Sequence, residues 1–179
     1  MSILERRRLL ILRISKMAVV CLALLFATGS AQPYSWPAWS VETATGSQFN
    51  SRELEGKVVL VSIWGSWCPN CRKQLPVLDS LQTSMPDGEV QVVAFSLDKS
   101  EQTHQRFVQE NRISVPSVYA RNGDGLEVVR LLQEGAGVLE AVPTLLIYDK
   151  RGRLAHRMVG FFNRKQLEHL IAPLIREKL

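Results

Sequence analysis

Two cysteines separated by two residues are the feature of this sequence with the clearest chemistry. Cys68, Pro69, Asn70 and Cys71 follow one another directly after a long apolar run. Proline favours the first position of a helix, because its φ is fixed near the helical value and its missing N–H is not needed there. Residues three apart at a helix start lie on one face, within reach of a disulfide. The spacing therefore predicts a redox-active Cys68–Cys71 pair.

The position of each cysteine predicts its part in the reaction. Cys68 would lie at the helix N-terminus, where free N–H groups and the helix dipole favour a negative charge, so we expect its pKa below that of a free cysteine. Cys71 would lie one turn further in and be less exposed. We predict that Cys68 attacks the disulfide of a partner and that Cys71 resolves the mixed disulfide.

The first half of the chain contains the elements that must position this pair. Residues 58–64 form a nearly continuous β-branched and apolar run, which predicts a central strand covered on both faces. A helix is predicted from Pro69 to about Ser84. A second strand over residues 90–97 and a helix capped by Ser100 follow.

The second half contains one further helix, a hairpin and a terminal helix. Residues 113–119 predict a short extended piece, residues 122–125 a loop, and residues 126–133 a short helix. Strands over 142–148 and 154–159 are joined by the turn signal at 149–152. Asn163 can cap a last helix with an apolar stripe. This order predicts an α/β fold in which a central mixed sheet is flanked by helices.

Two segments together resemble the thioredoxin superfamily. The run from Trp67 to Cys71, placed after a strand, resembles the active site of that family, and residues 142–144 resemble its cis-proline segment. Residues 56–61 and 64–72 are similar, more narrowly, to the exported branch that includes TlpA-like and cytochrome-c-maturation thioredoxins. The resemblance extends over residues 45–178 and implies a thioredoxin-like fold.

The resemblance also implies a function and a set of site residues. It implies a thiol:disulfide oxidoreductase with protein thiols and disulfides as substrates, no cofactor and no metal. Trp67, Pro69 and Asn70 would support the cysteines, with Trp67 flanking the first one. The backbone of Val142, before a cis Pro143, would pair with the substrate chain. The branch is mostly reductive, which implies a membrane electron-transfer partner.

The sequence departs from the family pattern at two positions. Ser62 stands where thioredoxins carry a buried acid, and Gln74 stands where cytochrome-c-maturation members carry a glutamate. Neither side chain can take a proton from Cys71 as a carboxylate would. Membership of the haem-pathway subgroup therefore does not follow from the resemblance.

Three other functions compete with a reductant. A periplasmic dithiol oxidant is one, although the long helical insertion typical of dedicated oxidants is missing. The second is copper(I) binding by the two thiolates; a zinc site would need further ligands, and none are suitably spaced. The third is a peroxidase, which would use a lone cysteine after proline and threonine or serine.

The three histidines lie on separate elements and are predicted to be surface or partly packed residues: His104, His156 and His169.

The charge distribution separates the N-terminus from the rest of the chain. The formal net charge is +5, and +4 of it lies before residue 32, which leaves +1 for the remainder. A nucleic-acid binder would need a basic face on the folded part, and no such surplus of positive charge remains there.

A basic stretch is followed by the apolar run 17–27, which predicts a signal peptide or N-terminal membrane anchor over 1–31. The thioredoxin-like domain is predicted over 32–179, in the periplasm or on the outer face of the cytoplasmic membrane.

Overall fold

A five-stranded mixed sheet organises the part of the chain that the structure describes. The computed structural model describes residues 36–85 and 88–179; the predicted signal peptide or anchor lies outside them. The strands are β1 (Ser40–Glu42), β2 (Gln48–Asn50), β3 (Val58–Trp64), β4 (Val90–Ser96), β5 (Ser117–Tyr119), β6 (Thr144–Tyr148) and β7 (Leu154–Val159). The helices are α1 (Pro69–Ser84), α2 (Glu101–Glu110), α3 (Gly123–Ala136) and α4 (Arg164–Arg176), with a 3-10 turn at Ser51–Leu54.

The strand order β5-β4-β3-β6-β7 confirms the predicted mixed sheet. Strand β3 lies at the centre, pairing parallel with β4 and antiparallel with β6, so that Val61 lies between Val93 and Leu146. Strands β6 and β7 form the predicted antiparallel hairpin. A separate two-stranded sheet joins β1 and β2.

Strand β3 is buried on both faces, as its apolar run predicts. All seven of its residues are buried. Because side chains alternate along a strand, two cores form. Val58, Leu60 and Trp64 join the core that contains Cys68 and Cys71, here called the cysteine face. The other core, here called the opposite face, takes the alternate residues Val59, Val61 and Ile63.

Different elements cover the two faces. Helices α1, α2 and α4 supply the cysteine face with the buried side chains Leu75, Leu78, Leu81, Val108, Leu167 and Ile171. Helix α3 and the N-terminal hairpin region supply the opposite face with the buried side chains Trp36, Val41, Phe49, Leu54, Val128, Val129, Leu132 and Ala136. The helices and the hairpin together enclose the sheet. No helix within the described ranges combines the length and apolar character needed to span a bilayer.

Two local features differ from the sequence prediction. The predicted loop at 122–125 is wrong, because α3 already begins at Gly123 with Asn122 as its N-cap. A Cβ on Gly125 would lie 2.1 Å from the carbonyl oxygen of Tyr119, so glycine allows the helix to begin against the end of β5. The hairpin of β1 and β2 was not predicted, since its strands have only three residues each.

Candidate active site

The cysteine pair lies at the N-terminus of α1, where the sequence predicts a helix start. Cys68 is the N-cap, Pro69 the first helical residue, and Cys71 lies within the first turn. The Cys68 Sγ accepts a hydrogen bond from the backbone N–H of Cys71 at 3.3 Å. Its thiol donates to the carbonyl oxygen of Val142 at 3.5 Å. One sulfur thus contacts both the helix start and a loop 74 residues further along the chain.

The two thiols differ in exposure and in acidity. Cys68 is 7% exposed, whereas Cys71 is fully buried, the order that the sequence predicts. Burial raises the pKa of Cys71 to about 12, and the hydrogen bond with the Cys68 side chain adds to the rise. Because this pKa lies far above neutral pH, the Cys71 thiol keeps its proton there. It must lose this proton before it can act as a nucleophile.

The loop facing Cys68 contains the proline that the sequence singles out. The peptide bond between Val142 and Pro143 is cis. Val142 presents its carbonyl to the Cys68 thiol, and the Pro143 carbonyl accepts from the backbone N–H of Gly160 at 2.8 Å. The proline loop therefore contacts the Cys68 sulfur on one side and the segment after β7 on the other.

Gln74 connects α1 to the segment after β7. Its side chain is 1% exposed, and its Oε1 accepts from the backbone N–H of Phe162 at 2.7 Å. Its Nε2 is buried without a hydrogen-bond partner. Ser62 is buried on β3. Both positions at which the sequence departs from the expected family pattern are thus occupied by buried neutral side chains.

The residues predicted to support the cysteines surround the helix start. Pro69 and Asn70 are exposed on the first turn of α1. Trp67 is 60% exposed, and its indole lies against Gly65, where an added Cβ would be 2.6 Å from Nε1. Glycine thus allows the ring to fold back over the loop. The supporting roles of these three residues stay predictions.

An acid near the cysteines was missed by the sequence analysis. Asp98 lies just after β4 and is fully buried. Its Oδ1 accepts from both the backbone N–H and the hydroxyl of Ser66, each at 2.8 Å. Ser66 lies two residues before Cys68. The sequence feature that could have identified Asp98 is an acid at the carboxyl end of an apolar strand, β4, which pairs with the strand that leads to the cysteines.

The prediction for His104 is wrong, because this side chain is only 1% exposed. Its Nε2 lies 2.8 Å from the Ser117 hydroxyl, and its ring centre lies 5.9 Å from that of Trp64. Burial lowers the pKa of His104 from 6.5 to about 4, so the ring is neutral at physiological pH. His156 and His169 are half-buried and exposed, as predicted.

Across residues 36–85 and 88–179, no group of three or more His, Cys, Asp or Glu side chains is arranged to hold a metal ion.

Comparison with known proteins places the chain in a family. Residues 34–157 match the AhpC/TSA family. The thiol-disulfide oxidoreductase ResA of Halalkalibacterium halodurans is 27% identical over 177 residues, which cover 94% of this chain and 96% of the relative. The sporulation thiol-disulfide oxidoreductase A of Bacillus subtilis is 26% identical over 117 residues, which cover 64% of this chain and 66% of the relative.

Solved structures show the same fold. A thiol:disulfide interchange protein of the thioredoxin family from Chlorobium tepidum has a TM-score of 0.70 at 21% identity, covering 82% of this chain and 99% of that protein. A secreted thiol-disulfide isomerase from Corynebacterium glutamicum has a TM-score of 0.63 at 27% identity, covering 79% and 85%. The chain therefore belongs to the AhpC/TSA family, and it is a thiol–disulfide oxidoreductase with the thioredoxin fold.

Proposed function

We propose that this protein reduces disulfides of partner proteins outside the cytoplasm, with Cys68 as nucleophile and Cys71 as resolving thiol. The observation that carries this proposal is the position of the Cys68 sulfur, which contacts the N–H of Cys71 on one side and the carbonyl of Val142 on the other. A sulfur at a helix N-terminus is stabilised as a thiolate by the free N–H groups and the dipole. Thiolates, not thiols, attack disulfides.

The reaction proceeds in two exchange steps. The Cys68 thiolate attacks one sulfur of the substrate disulfide; a mixed disulfide forms, and the other substrate sulfur leaves as a thiolate that takes up a proton. Cys71 then loses its proton and attacks the Cys68 sulfur. The second substrate thiol is released, and a Cys68–Cys71 disulfide forms. Two electrons pass to the substrate, so the protein must be reduced again before the next cycle.

The loop at 142–143 is the proposed binding site for the substrate chain. The Val142 carbonyl already lies within contact distance of the Cys68 sulfur. A substrate chain attached to that sulfur would therefore lie beside the backbone of Val142 and the ring of Pro143. Trp67, Pro69 and Asn70 form the rest of the rim, and the exposed indole of Trp67 offers an apolar surface to the substrate.

The proposed location follows from the N-terminal segment and from the names of relatives. A basic stretch followed by eleven apolar residues favours export or membrane attachment of residues 1–31. Similar structures include a secreted thiol-disulfide isomerase and an exposed lipoprotein thioredoxin of Streptococcus pneumoniae. A reductant in an oxidising compartment needs a source of electrons. A membrane protein that reduces Cys68–Cys71 is the proposed donor.

The division of labour is tested by trapping the mixed disulfide. The Cys71→Ser variant should accumulate a covalent adduct with a disulfide-containing peptide, since the resolving thiol is missing. The Cys68→Ser variant should form no adduct and lose exchange activity. A Cys21→Ser variant is the control and should exchange as the parent does. The adduct is identified by mass spectrometry of the non-reduced protein; exchange retained by Cys68→Ser would refute the mechanism.

The direction is tested by the reduction potential of the pair in glutathione buffers. A value near or below about −250 mV, close to that of thioredoxin, marks a reductant. A value near about −120 mV marks an oxidant and overturns the proposed direction, while the two-cysteine chemistry remains.

A further inference from the structure

Asp98 is a fully buried carboxylate joined to the loop that carries the nucleophile. A buried charge is costly unless hydrogen bonds replace its hydration. Its Oδ1 accepts two bonds from Ser66, and its Oδ2 accepts from the hydroxyl of Ser96 at 2.8 Å. We propose that Asp98 is a positioning residue that, through Ser66, holds Cys68 at the N-terminus of α1 in its reactive geometry. This inference rests on the proposed function, in which Cys68 is the nucleophile.

Asp98 is itself fixed to the sheet. Its backbone N–H donates to the Ser96 hydroxyl at 3.1 Å, and that hydroxyl donates to Oδ2. Next to it, the N–H of Leu97 donates to the carbonyl of Trp64 at 2.8 Å, which joins the ends of β3 and β4. The carboxylate therefore holds the loop that contains Ser66, 32 residues away in sequence, against the end of β4.

The loop between β3 and α1 is short, so fixing Ser66 also fixes Cys68. The N–H of Cys68 donates to the carbonyl of Gly65 at 3.1 Å, closing a turn around Ser66. The N-cap conformation of Cys68, with φ −92° and ψ 117°, directs its sulfur at the N–H of Cys71. The stabilising effect of a helix terminus fades within one turn. A loop released from Asp98 would therefore weaken the stabilisation of the Cys68 thiolate.

The chain offers a matched control for this contact. Asp79, on α1, binds Ser114 in the same way: its Oδ1 accepts from the Ser114 N–H at 2.7 Å and from the Ser114 hydroxyl at 2.9 Å. It also accepts from the N–H of Val115 at 2.9 Å. The loop held by Asp79 leads into β5, whereas the loop held by Asp98 leads into the cysteines. The two aspartates thus share a hydrogen-bond pattern and differ in the loop that each one fixes and in burial, since Asp79 is half-buried.

The experiment measures the alkylation rate of Cys68 by iodoacetamide in the reduced full chain as a function of pH, with mass spectrometry identifying the modified cysteine. In Asp98→Ala, the rate at neutral pH should fall about tenfold, because both hydrogen bonds that hold Ser66 are lost. Asp98→Asn should restore most of the rate, since an amide oxygen can accept both Ser66 bonds. Asp79→Ala should stay within about twofold of the parent, because it loses comparable bonds elsewhere.

Ser66→Ala provides a second variant that keeps the buried acid and removes one of the two Ser66 bonds; a rate about threefold lower is expected. If Asp98→Ala does not fold, this variant decides the question. Unchanged rates in every folded variant of Ser66 and Asp98 would refute the inference, as would an equal loss in Asp79→Ala. If Asp98→Asn is as slow as Asp98→Ala, charge rather than geometry acts, and the positioning role is refuted. Disulfide exchange retained by Cys68→Ser would instead refute the proposed function.

Discussion

The two faces of the sheet are equally well buried but differ in what they bury. The opposite face is lined by apolar and aromatic side chains from α3 and the N-terminal hairpin. The cysteine face buries both thiols together with Gln74 and His104. Among the described residues, three buried side-chain nitrogens lack a hydrogen-bond partner, and all belong to the cysteine face: Trp64 Nε1, Gln74 Nε2 and His104 Nδ1. Unpaired buried polar atoms are unfavourable, so the face that holds the cysteines also bears this desolvation cost.

A matched pair of core substitutions separates stability from chemistry. Leu75 and Leu146 are both fully buried, on the cysteine face and the opposite face respectively. Replacing either by alanine should lower the free energy of unfolding by about 2–5 kcal/mol, because each leaves a cavity. Only Leu75→Ala should lower the pKa of Cys71 from about 12, because the new cavity lies one helical turn away and lessens its desolvation.

Urea unfolding measures the first effect, and thiolate absorbance as a function of pH measures the second. The titration of Cys71 in folded Leu146→Ala should match that of the parent. A shift of the same size in both variants would show that the two faces are not independent in this respect.

His104, on the cysteine face, makes the free energy of unfolding of the protein depend on pH. Burial lowers its pKa from 6.5 to about 4 in the folded protein. Between these values the unfolded chain binds the proton and the folded chain does not, so stability is lost as the pH falls from 6.5 towards 4. The loss attributable to this group is about 3 kcal/mol.

The test is the urea midpoint between pH 7 and pH 4. His104→Gln should flatten the dependence in this window, whereas His169→Gln, at an exposed position, should leave it as in the parent. An unchanged pH slope in His104→Gln would contradict the assignment.

The smallest expected effect distinguishes two glutamines on α1. Gln74 accepts a bond from the Phe162 N–H near the cysteines, and Gln82 accepts one from the Val92 N–H at 2.5 Å further along the helix. Replacing either by leucine should lower the free energy of unfolding by about 1–3 kcal/mol, since a backbone N–H loses its acceptor. Only Gln74→Leu should slow exchange with a peptide disulfide, because the segment it holds also binds the Pro143 carbonyl through Gly160.

Exchange with a small disulfide serves as the comparison, since it does not depend on the loop that would bind a peptide chain. Gln74→Leu should be slower with the peptide than with the small disulfide, relative to the parent. Equal slowing of both reactions, or a similar loss of peptide exchange in Gln82→Leu, would contradict this interpretation.

The sequence by itself determined the local features of the protein. Proline after Cys68 marks the start of α1, and the apolar run before it marks the central strand. The order of the elements predicts a mixed sheet with a late hairpin. These features depend on backbone preferences and on the periodicity of neighbouring residues, which a single sequence contains.

Only the tertiary structure decided which polar residues are buried and what they bind. Asp98 and Ser66 are 32 residues apart, and Gln74 and Phe162 are 88 apart. Nothing in the pattern around His104 indicates that its ring is enclosed between Trp64 and Ser117. Such contacts arise when separate elements pack together, and burial then sets the cost of each polar group and the pKa of each titratable one. The sequence thus identifies the reacting atoms, while the packing determines their surroundings.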